Sequence, residues 1–406
     1  MPTGFTGWSL VLASVSLLAG HMSGAFAALY EQGMMPVKPR DLTLLLASAS
    51  LFFIWFHRPA FSPAALALLM IPTLRAADAA LLKRFTHDAL GDHSFLVFGL
   101  ILVWLVTLVT ISVMSTEHGR RIALFSAIAV VLLGAGSILF ESMGFAKYTS
   151  IPGRVSGFLR QPNDAIIVMC LMLSVVFTLN KHFWLNVGLI ALASASVVLT
   201  LSRSGMMVFA VLVALFVLIN FRQHAGKILL VAAISIPLAA GGIAWFIHKA
   251  SSASFGTDTN IKNRIEAIFG GSTDKMASDE RMKDLTDGWE AVTDSPLVGH
   301  GTGCASSMWQ PHNQWVAIWL DIGVGGVLLY GGVLITISLL CLLNKGKGIY
   351  LLVPLWMFSV FSQNLVEMAC YWFVASVAMH ELTTARFRIT LRRQAPAPLA
   401  APHYSA

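Results

Sequence analysis

Charged residues are scarce in this sequence of 406 amino acids. Asp, Glu, Lys and Arg make up 12% of the chain, whereas a soluble domain carries roughly 25%. Hydrophobic residues make up 56%, and the mean hydropathy is +0.74. So little charge cannot cover a water-facing surface. The composition therefore excludes a soluble protein and predicts one that crosses a membrane many times.

Patterns that would indicate several other functions are missing. The four cysteines, Cys170, Cys304, Cys341 and Cys370, have no metal-ligand spacing. We find no D-x-D motif, no His pair at metal spacing and no carboxylate cluster within an apolar segment, so the sequence predicts neither a metal site nor a cofactor. The net charge of +7 is spread over short loops, without a basic run that interleaves aromatics, and this argues against a nucleic-acid partner.

Basic residues are also missing from the first 37 positions, because Lys38 is the first Lys or Arg. Ala25-Phe26-Ala27 resembles a signal cleavage site, but the basic region that precedes the apolar part of a signal peptide is absent. We therefore expect the first apolar segment to be an uncleaved membrane span.

Apolar segments recur along the whole chain, and a helical span needs about 20 mostly apolar residues. The sequence predicts an all-α membrane protein with about twelve transmembrane helices, nine within residues 1–249 and three within 313–386. A Pro/Ala-rich cytoplasmic tail, 387–406, is predicted to be disordered. The predicted spans lie near 7–29, 41–57, 61–82, 94–114, 122–143, 163–180, 184–201, 204–221, 228–249, 313–342, 349–365 and 367–385.

Basic residues in alternate short loops set the predicted orientation, with both termini in the cytoplasm. This orientation makes residues 250–312 one large periplasmic loop. Within it, "DKMASDERMKDLTDGWEAV" predicts an amphipathic helix, and "TDSPLVGHGTGC" predicts a turn-rich return to the membrane. A loop of this length usually has a function.

Arginines collect at the predicted outer ends of the spans, where charged groups are costly and tend to mark sites. "GRVSGFLRQPNDA" carries Arg154, Arg160 and Asn163 just before the sixth span, "TLSRSGMM" carries Arg203 in a tight turn, and the large loop carries Arg281. Arg matches phosphate oxygens with a planar, charged fork. The group therefore suits a lipid-linked diphosphate, although Arg203 as a snorkelling side chain and Arg281 as a solvated one are open alternatives.

The large loop closes on a titratable group, because His312 and Asn313 stand at the start of the tenth span. An imidazole can take a proton near neutral pH, whereas Asn313 is expected to cap the helix and to lie near substrate. Trp309 and Trp315 are expected to stack on sugars, with an interfacial aromatic belt as the alternative. Within the third span, Arg75 and Asp78 lie one helical turn apart and are predicted to neutralise each other.

Four of these stretches together resemble the O-antigen ligase and polymerase superfamily of bacterial envelope glycosyltransferases. They are "GRVSGFLRQPND", "LSRSG", "RMKDLTDGWEAVTDSPLVGHG" and "HNQWVAIWLDIG", in this order over residues 150–330. The resemblance implies a GT-C-type fold and transfer of a glycan from undecaprenyl diphosphate to a sugar hydroxyl, without a metal, on the periplasmic side of the inner membrane. By motif, Arg203 and Arg281 would bind the diphosphate, and His312 would activate the acceptor hydroxyl.

The resemblance leaves three functions open. The first is an O-antigen ligase that transfers the glycan to lipid A-core, and this is the interpretation that we favour. The second is a polymerase of the same superfamily, whose acceptor is another glycan. The third is a lipid-linked sugar flippase or transporter, which should carry cationic groups in a central cavity, whereas the spans here hold almost none beyond Arg75.

Overall fold

The computed structural model describes residues 5–57, 63–82, 93–149, 151, 154–251, 275–344, 346 and 348–394, and no strand occurs within them. The predicted all-helical fold is confirmed. Short π-helices at Asp78–Leu82 and Ala305–Trp309 and 3-10 turns at Gly157–Leu159 and Leu365–Glu367 add to the α-helices. The α-helices are α1 (Phe5–Met22), α2 (Ala25–Glu31), α3 (Pro39–Trp55), α4 (Pro63–Ala67), α5 (Met70–Ala77), α6 (His93–Met114), α7 (Gly119–Ser142), α8 (Pro162–Leu179), α9 (Phe183–Thr200), α10 (Arg203–Ser251), α11 (Lys275–Asp294), α12 (Gln314–Leu343), α13 (Ile349–Phe361) and α14 (Ala369–Gln394).

Eight helical segments within the described ranges are long and apolar enough to cross a membrane. The chain is therefore a polytopic helical membrane protein, as its composition predicts, and the number of twelve crossings stays a prediction. The eight segments are Phe5–Met22, Ala65–Leu82, Leu96–Met114, Gly119–Ser142, Pro162–Leu179, Phe183–Thr200, Arg203–Ile234 and Gln314–Leu343.

Two helices run past the boundaries expected from the sequence. α10 joins the predicted eighth and ninth spans into one helix, with non-helical backbone at His224. α14 continues to Gln394, so the first residues of the predicted tail are helical. The physical reason is local: "ARFRITLRR" has no Gly or Pro, and Pro396 is the first residue that cannot continue the helix. Residues 395–406 and most of the predicted loop before α11, 252–274, lie outside the described residues.

α8 forms the centre of the bundle. It is the most buried of the eight segments and packs against α7, α9, α10, α13 and α14. Its sequence, "AIIVMCLMLSVVFTL", is apolar on every face, which is typical of a helix that other helices surround. The first turn of α8 carries Asn163 and Asp164, so the most fixed helix of the protein holds two polar side chains at one end of the bundle.

The predicted tenth span is not one straight helix. Gly323 breaks α12 with φ 71° and ψ −165°. The ring centroids of Trp315 and Tyr330 lie 5.1 Å apart, although a straight helix would separate these residues by about 22 Å along its axis. The segment before Gly323 therefore folds back on the segment after it, and the second segment, 324–343, alone has about the length of a span.

The return loop is the stretch 293–304, before the π-helix Ala305–Trp309, and its backbone fills this break. The N–H groups of His300 and Gly301 donate to the carbonyls of Leu320 and Asp321, at 2.6 and 3.0 Å. A Cβ on Gly323 would lie 2.2 Å from the carbonyl oxygen of Leu297. The stretch "PLVGHG" is thus the part of the large loop that replaces the missing helical hydrogen bonds.

We expect Gly323→Ala to lower the free energy of unfolding by at least about 2 kcal/mol, because the φ and ψ of this residue are accessible essentially to Gly alone. Gly325→Ala is the matched control, since a Cβ there meets nothing within 4 Å. Thermal unfolding of the purified protein in detergent measures both. Equal melting temperatures for the two variants would contradict this account of the break.

Arg75 and Asp78 do not pair with each other as predicted. Arg75 Nη2 donates to Asp321 Oδ2 at 2.7 Å and to Glu367 Oε1 at 2.8 Å, while Asp78 accepts the N–H of Thr302 at 2.7 Å. Both residues are buried, and their partners are carboxylates and an amide from segments distant in the sequence, not each other. This ionic network fixes the return loop and the turn before α14 onto the third span.

Candidate active site

A cavity of about 280 Å³ opens where α8, α10, α11, the start of α12 and the α13–α14 turn meet. It joins residues of separate motifs, including Asn163, Arg281 and His312. Most of the lining side chains are polar, and Ile166, Ile167, Phe358 and Phe361 supply apolar contacts. The lining consists of Gln161, Asn163, Asp164, Ile166, Ile167, Ser204, Arg281, Gln310, His312, Phe358, Phe361, Ser362, Gln363 and Asn364.

Arg154 fixes the wall that α8 and α10 share. Its guanidinium is buried, and it donates to the carbonyl of Thr200 at 3.0 Å and to Asn163 Oδ1 at 3.2 Å. The hydroxyl of Ser202 donates to the same Asn163 oxygen at 2.9 Å. Arg154 and Asn163 therefore hold the turn that ends at Arg203, and the predicted contact of Arg154 with substrate stays a prediction. Arg154 also lines a second cavity, of about 590 Å³.

Arg203 is the first residue of α10 and is half-buried. Its neighbour Ser204 lines the cavity, whereas Arg203 itself is outside the lining. A Cβ on Gly205 would lie 2.2 Å from the side chain of Ile166, so the glycine of "SRSG" allows α10 to approach α8 at this level. Arg203 thus stands at the cavity edge, and its guanidinium forms no hydrogen bond or ion pair with the residues that the structure describes.

Arg281 reaches the cavity from the amphipathic helix, α11, whose prediction is confirmed. The apolar face of α11 packs on the start of α12 through Ala291 and Val292, which contact Val316 and Leu320 in a small second core. The rest of the helix surface is mostly exposed and charged. Arg281 lies seven and eleven positions before Gly288 and Val292, so it is on the packed face, in the part of α11 where the side chain is exposed and lines the cavity. α11 therefore places the guanidinium of Arg281 next to residues of the membrane-spanning bundle.

His312 occupies a strained turn between the π-helix and α12. Its φ is 48°, and the φ of Gln310, two residues earlier, is 41°. Non-glycine residues seldom adopt such angles, although His is among those enriched there. Gln363 Oε1 accepts the backbone N–H of His312 at 2.8 Å. This contact ties the histidine to the α13–α14 turn, and backbone strain of this kind clusters at functional sites.

The imidazole of His312 lies between two charges of α11. Asp284 Oδ2 is 3.9 Å from His312 Nε2, and Arg281 is close enough to act on the same ring. Burial, and after it the positive charge of Arg281, lower the pKa of His312 below its usual range, whereas Asp284 and Glu280 act in the opposite direction. The net shift keeps the imidazole neutral at physiological pH, which is the form that accepts a proton.

Like Arg154 and Arg203, four more predicted site residues lie outside the lining of this cavity. Asn313 caps α12, as expected, and its Oδ1 accepts the N–H groups of residues 315 and 316 at 2.9 and 3.3 Å. Trp309 packs beside His300, and Trp315 packs on Tyr330 and on the ring at position 356. Arg160 forms an ion pair with the carboxylate at position 31, on α2. Each of the four side chains therefore has a partner within the protein, and their contact with substrate stays a prediction.

Sequence reasoning missed the polar side chains of the α13–α14 turn. Ser362, Gln363 and Asn364 line the cavity, and Asn364 Nδ2 donates to Asp164 Oδ1 at 3.1 Å. The signal was present, because these residues interrupt an apolar stretch and polar groups at membrane depth tend to be functional. Asp284 was also missed, since it is one of many charges on α11.

Part of the site lies in a segment that known proteins share. Residues 188–331 match the family model described as O-antigen ligase. The resemblance to the O-antigen ligase superfamily is confirmed. The matched segment contains Arg203, Arg281 and His312, and it also contains the break at Gly323. No curated protein matches the chain.

The O-antigen ligase match supports a function of the ligase and polymerase type. Such a protein is a glycosyltransferase-like enzyme whose donor is a lipid-linked glycan and whose acceptor is a glycan in the membrane. The cavity agrees with these reactants, because an apolar lining on α8 and α13 meets polar and cationic groups at one end of the bundle.

Proposed function

We propose that this protein is an O-antigen ligase of the bacterial inner membrane. It transfers a glycan from undecaprenyl diphosphate to a sugar hydroxyl of lipid A-core, with the cavity facing the periplasm. The observation that carries the proposal is that Arg281, His312 and the α8–α10 wall share one cavity within a chain that matches O-antigen ligase. The 280 Å³ cavity is near the lower end of the ligand-site range of about 300–1,000 Å³.

Arg203 and Arg281 bind the diphosphate of the donor in this proposal. The lipid tail of the donor stays in the bilayer, so the diphosphate has to lie at the end of the bundle where the apolar walls stop. Two guanidinium groups match its oxygens and oppose the charge that develops as the leaving group departs. Arg281 of α11 lines the cavity, and Arg203 stands beside the lining residue Ser204 at the start of α10.

The neutral imidazole of His312 takes the proton of the acceptor hydroxyl. The hydroxyl oxygen bonds to the anomeric carbon, and the bond between that carbon and the phosphate oxygen breaks. The electron pair stays on undecaprenyl diphosphate, which remains in the membrane. No oxidant or further reactant is needed, and the proton leaves His312 for solvent before the next turnover.

Asp284 orients the imidazole for this step. Its carboxylate oxygen lies 3.9 Å from Nε2, beyond hydrogen-bond distance. A shift of the two side chains toward each other would let Asp284 accept a proton from Nε2, which would leave Nδ1 free to accept the proton of the hydroxyl. Asp164, Gln363 and Asn364 offer oxygen and nitrogen atoms to the hydroxyl groups of a sugar in the same cavity. These residues therefore form the polar surface on which we expect the acceptor sugar to lie.

Asp284→Asn is expected to move the acid limb of the rate–pH profile to lower pH. Asp284 raises the pKa of His312, so its neutral replacement lets that pKa fall and the imidazole stays in its base form at more acidic pH. Asp287→Asn is the matched control, because Asp287 is exposed on the same helix and does not perturb the His312 pKa. Transfer rates of the purified variants over pH test this. An unmoved limb in Asp284→Asn would contradict the orienting role.

A polymerase of the same superfamily is the alternative, and a deletion strain separates the two. For a ligase, we expect loss of long-chain lipopolysaccharide while undecaprenyl-linked polymer is still made. Lipopolysaccharide capped with a single repeat unit would instead indicate a polymerase. Unchanged lipopolysaccharide together with unchanged polymer would contradict both.

A further inference from the structure

Two histidines and a glutamate meet at a place that takes no part in the proposed transfer. His57 follows the end of α3, and Glu117 and His118 form the short connection between α6 and α7. One potential ligand atom from each side chain lies within 4.8 Å of the other two. The sequence could not indicate this group, because His57 is 60 positions from Glu117.

The geometry of the three side chains suits a metal ion. His118 Nε2 lies 3.4 Å from Glu117 Oε1, which is about the separation of two ligands on a tetrahedral ion with bonds of about 2.1 Å. The rings of His57 and His118 stand 5.2 Å apart at 74°, so a small rotation of the His57 ring completes a three-ligand face. Exposed Glu117 leaves a side open for water as a fourth ligand.

His57 supplies a second observation. Its Nε2 atom is buried and has no hydrogen-bond partner within the part of the chain that the structure describes. A buried polar atom without a partner costs about 1–3 kcal/mol, so a native structure usually satisfies it with a ligand or water. The other members of the group cannot do this as they stand, because His118 already faces Glu117.

The group lies at the end of the bundle opposite to the cavity. α7 begins at Gly119, next to His118, and reaches about 36 Å to Ser142, as its 24 residues rise 1.5 Å each. Near that far end, Glu141 accepts the N–H groups of Ser156 and Gly157, in the loop that carries Arg154. An ion at His57 would therefore be remote from the diphosphate and from His312.

We propose that His57, Glu117 and His118 bind one divalent transition-metal ion, such as Zn²⁺, that ties the end of α3 to the α6–α7 connection. Two imidazole nitrogens and one carboxylate oxygen favour Zn²⁺, Co²⁺ or Ni²⁺ over Mg²⁺ and Ca²⁺, which prefer oxygen ligands. The role is structural, since the ion joins segments from separate parts of the chain.

The test uses the full chain in detergent, purified with a tag that contains no histidine and stripped with EDTA. We expect one Co²⁺ to bind per chain with visible d–d absorption, and Zn²⁺ to displace it and raise the melting temperature. In His57→Ala and His118→Ala, affinity for Zn²⁺ should fall by more than about 100-fold, since loss of even an outer partner of a metal ligand costs 10–100-fold.

His182→Ala is the matched control, because His182 is an exposed imidazole in the α8–α9 connection. It should bind Co²⁺ and Zn²⁺ as the unchanged protein does. The melting temperatures of all variants in EDTA show whether each is folded. No stoichiometric Co²⁺ binding by the unchanged protein, or equal Zn²⁺ affinity in folded His57→Ala, would overturn the proposal. Binding to Mg²⁺ alone would overturn the assignment of the ion.

Discussion

His312→Ala is expected to reduce glycan transfer by about 10²–10⁴-fold, the usual contribution of a general base. A sugar hydroxyl is a poor nucleophile, and the imidazole removes its proton as the bond to the anomeric carbon forms. The low pKa of His312 keeps the ring in its base form, so the loss should be visible at neutral pH. Transfer by purified enzyme, normalised to protein in the membrane, measures the effect.

Two further substitutions separate catalysis from packing at this position. The φ of His312 is 48°, and Asn tolerates such backbone well, so His312→Asn should fold normally and still be inactive. His312→Gln keeps a polar side chain without the basicity of imidazole. Full activity in His312→Gln would contradict the base role, and the cavity would then bind substrate without the catalyst that we assign.

The second large effect is expected at the two arginines. Arg203→Lys and Arg281→Lys keep the charge but lose the planar fork, and each should lower the transfer rate by about 10²–10³-fold, the usual cost of losing one donor to a developing negative charge. The apparent affinity for donor should fall as well. Rates and donor dependence of the purified variants test this.

Lys283→Arg provides the control for Arg281. Lys283 is exposed on the same helix and lies outside the cavity lining, so its replacement should leave the rate unchanged. If Arg203→Lys and Arg281→Lys both transfer glycan at the unchanged rate and at equal protein levels, the diphosphate-binding roles are wrong.

Hydropathy predicted the fold class because lipid contact leaves a strong signal in composition. It did not predict the break at Gly323, because a single Gly within an apolar helical pattern is tolerated and does not by itself indicate that the helix ends. The break depends on the return loop, whose N–H groups take over the carbonyls of Leu320 and Asp321. Contacts between segments decide such a feature, and a local pattern does not record them.

The candidate site was predicted where motifs carry it and missed where distant segments meet. Arg281 and His312 line one cavity, as their motifs indicate. Arg154 and Arg160 are predicted to bind substrate, and this stays a prediction; within the protein, Arg154 holds the α10 turn and Arg160 pairs with Glu31. An arginine at a membrane end has the same appearance in sequence whether a carbonyl, a carboxylate or a phosphate satisfies it.

The central claim is transfer from a lipid diphosphate to lipid A-core, and reconstitution tests it most directly. The purified protein is placed in vesicles with an undecaprenyl-diphosphate-linked O-antigen glycan and lipid A-core, and the products are identified by mass. We predict that lipid A-core gains the glycan, that undecaprenyl diphosphate is released in equal amount, and that His312→Asn forms neither product. Lipid A-core without glycan, whether the donor stays unchanged or grows by further repeat units, would contradict the account.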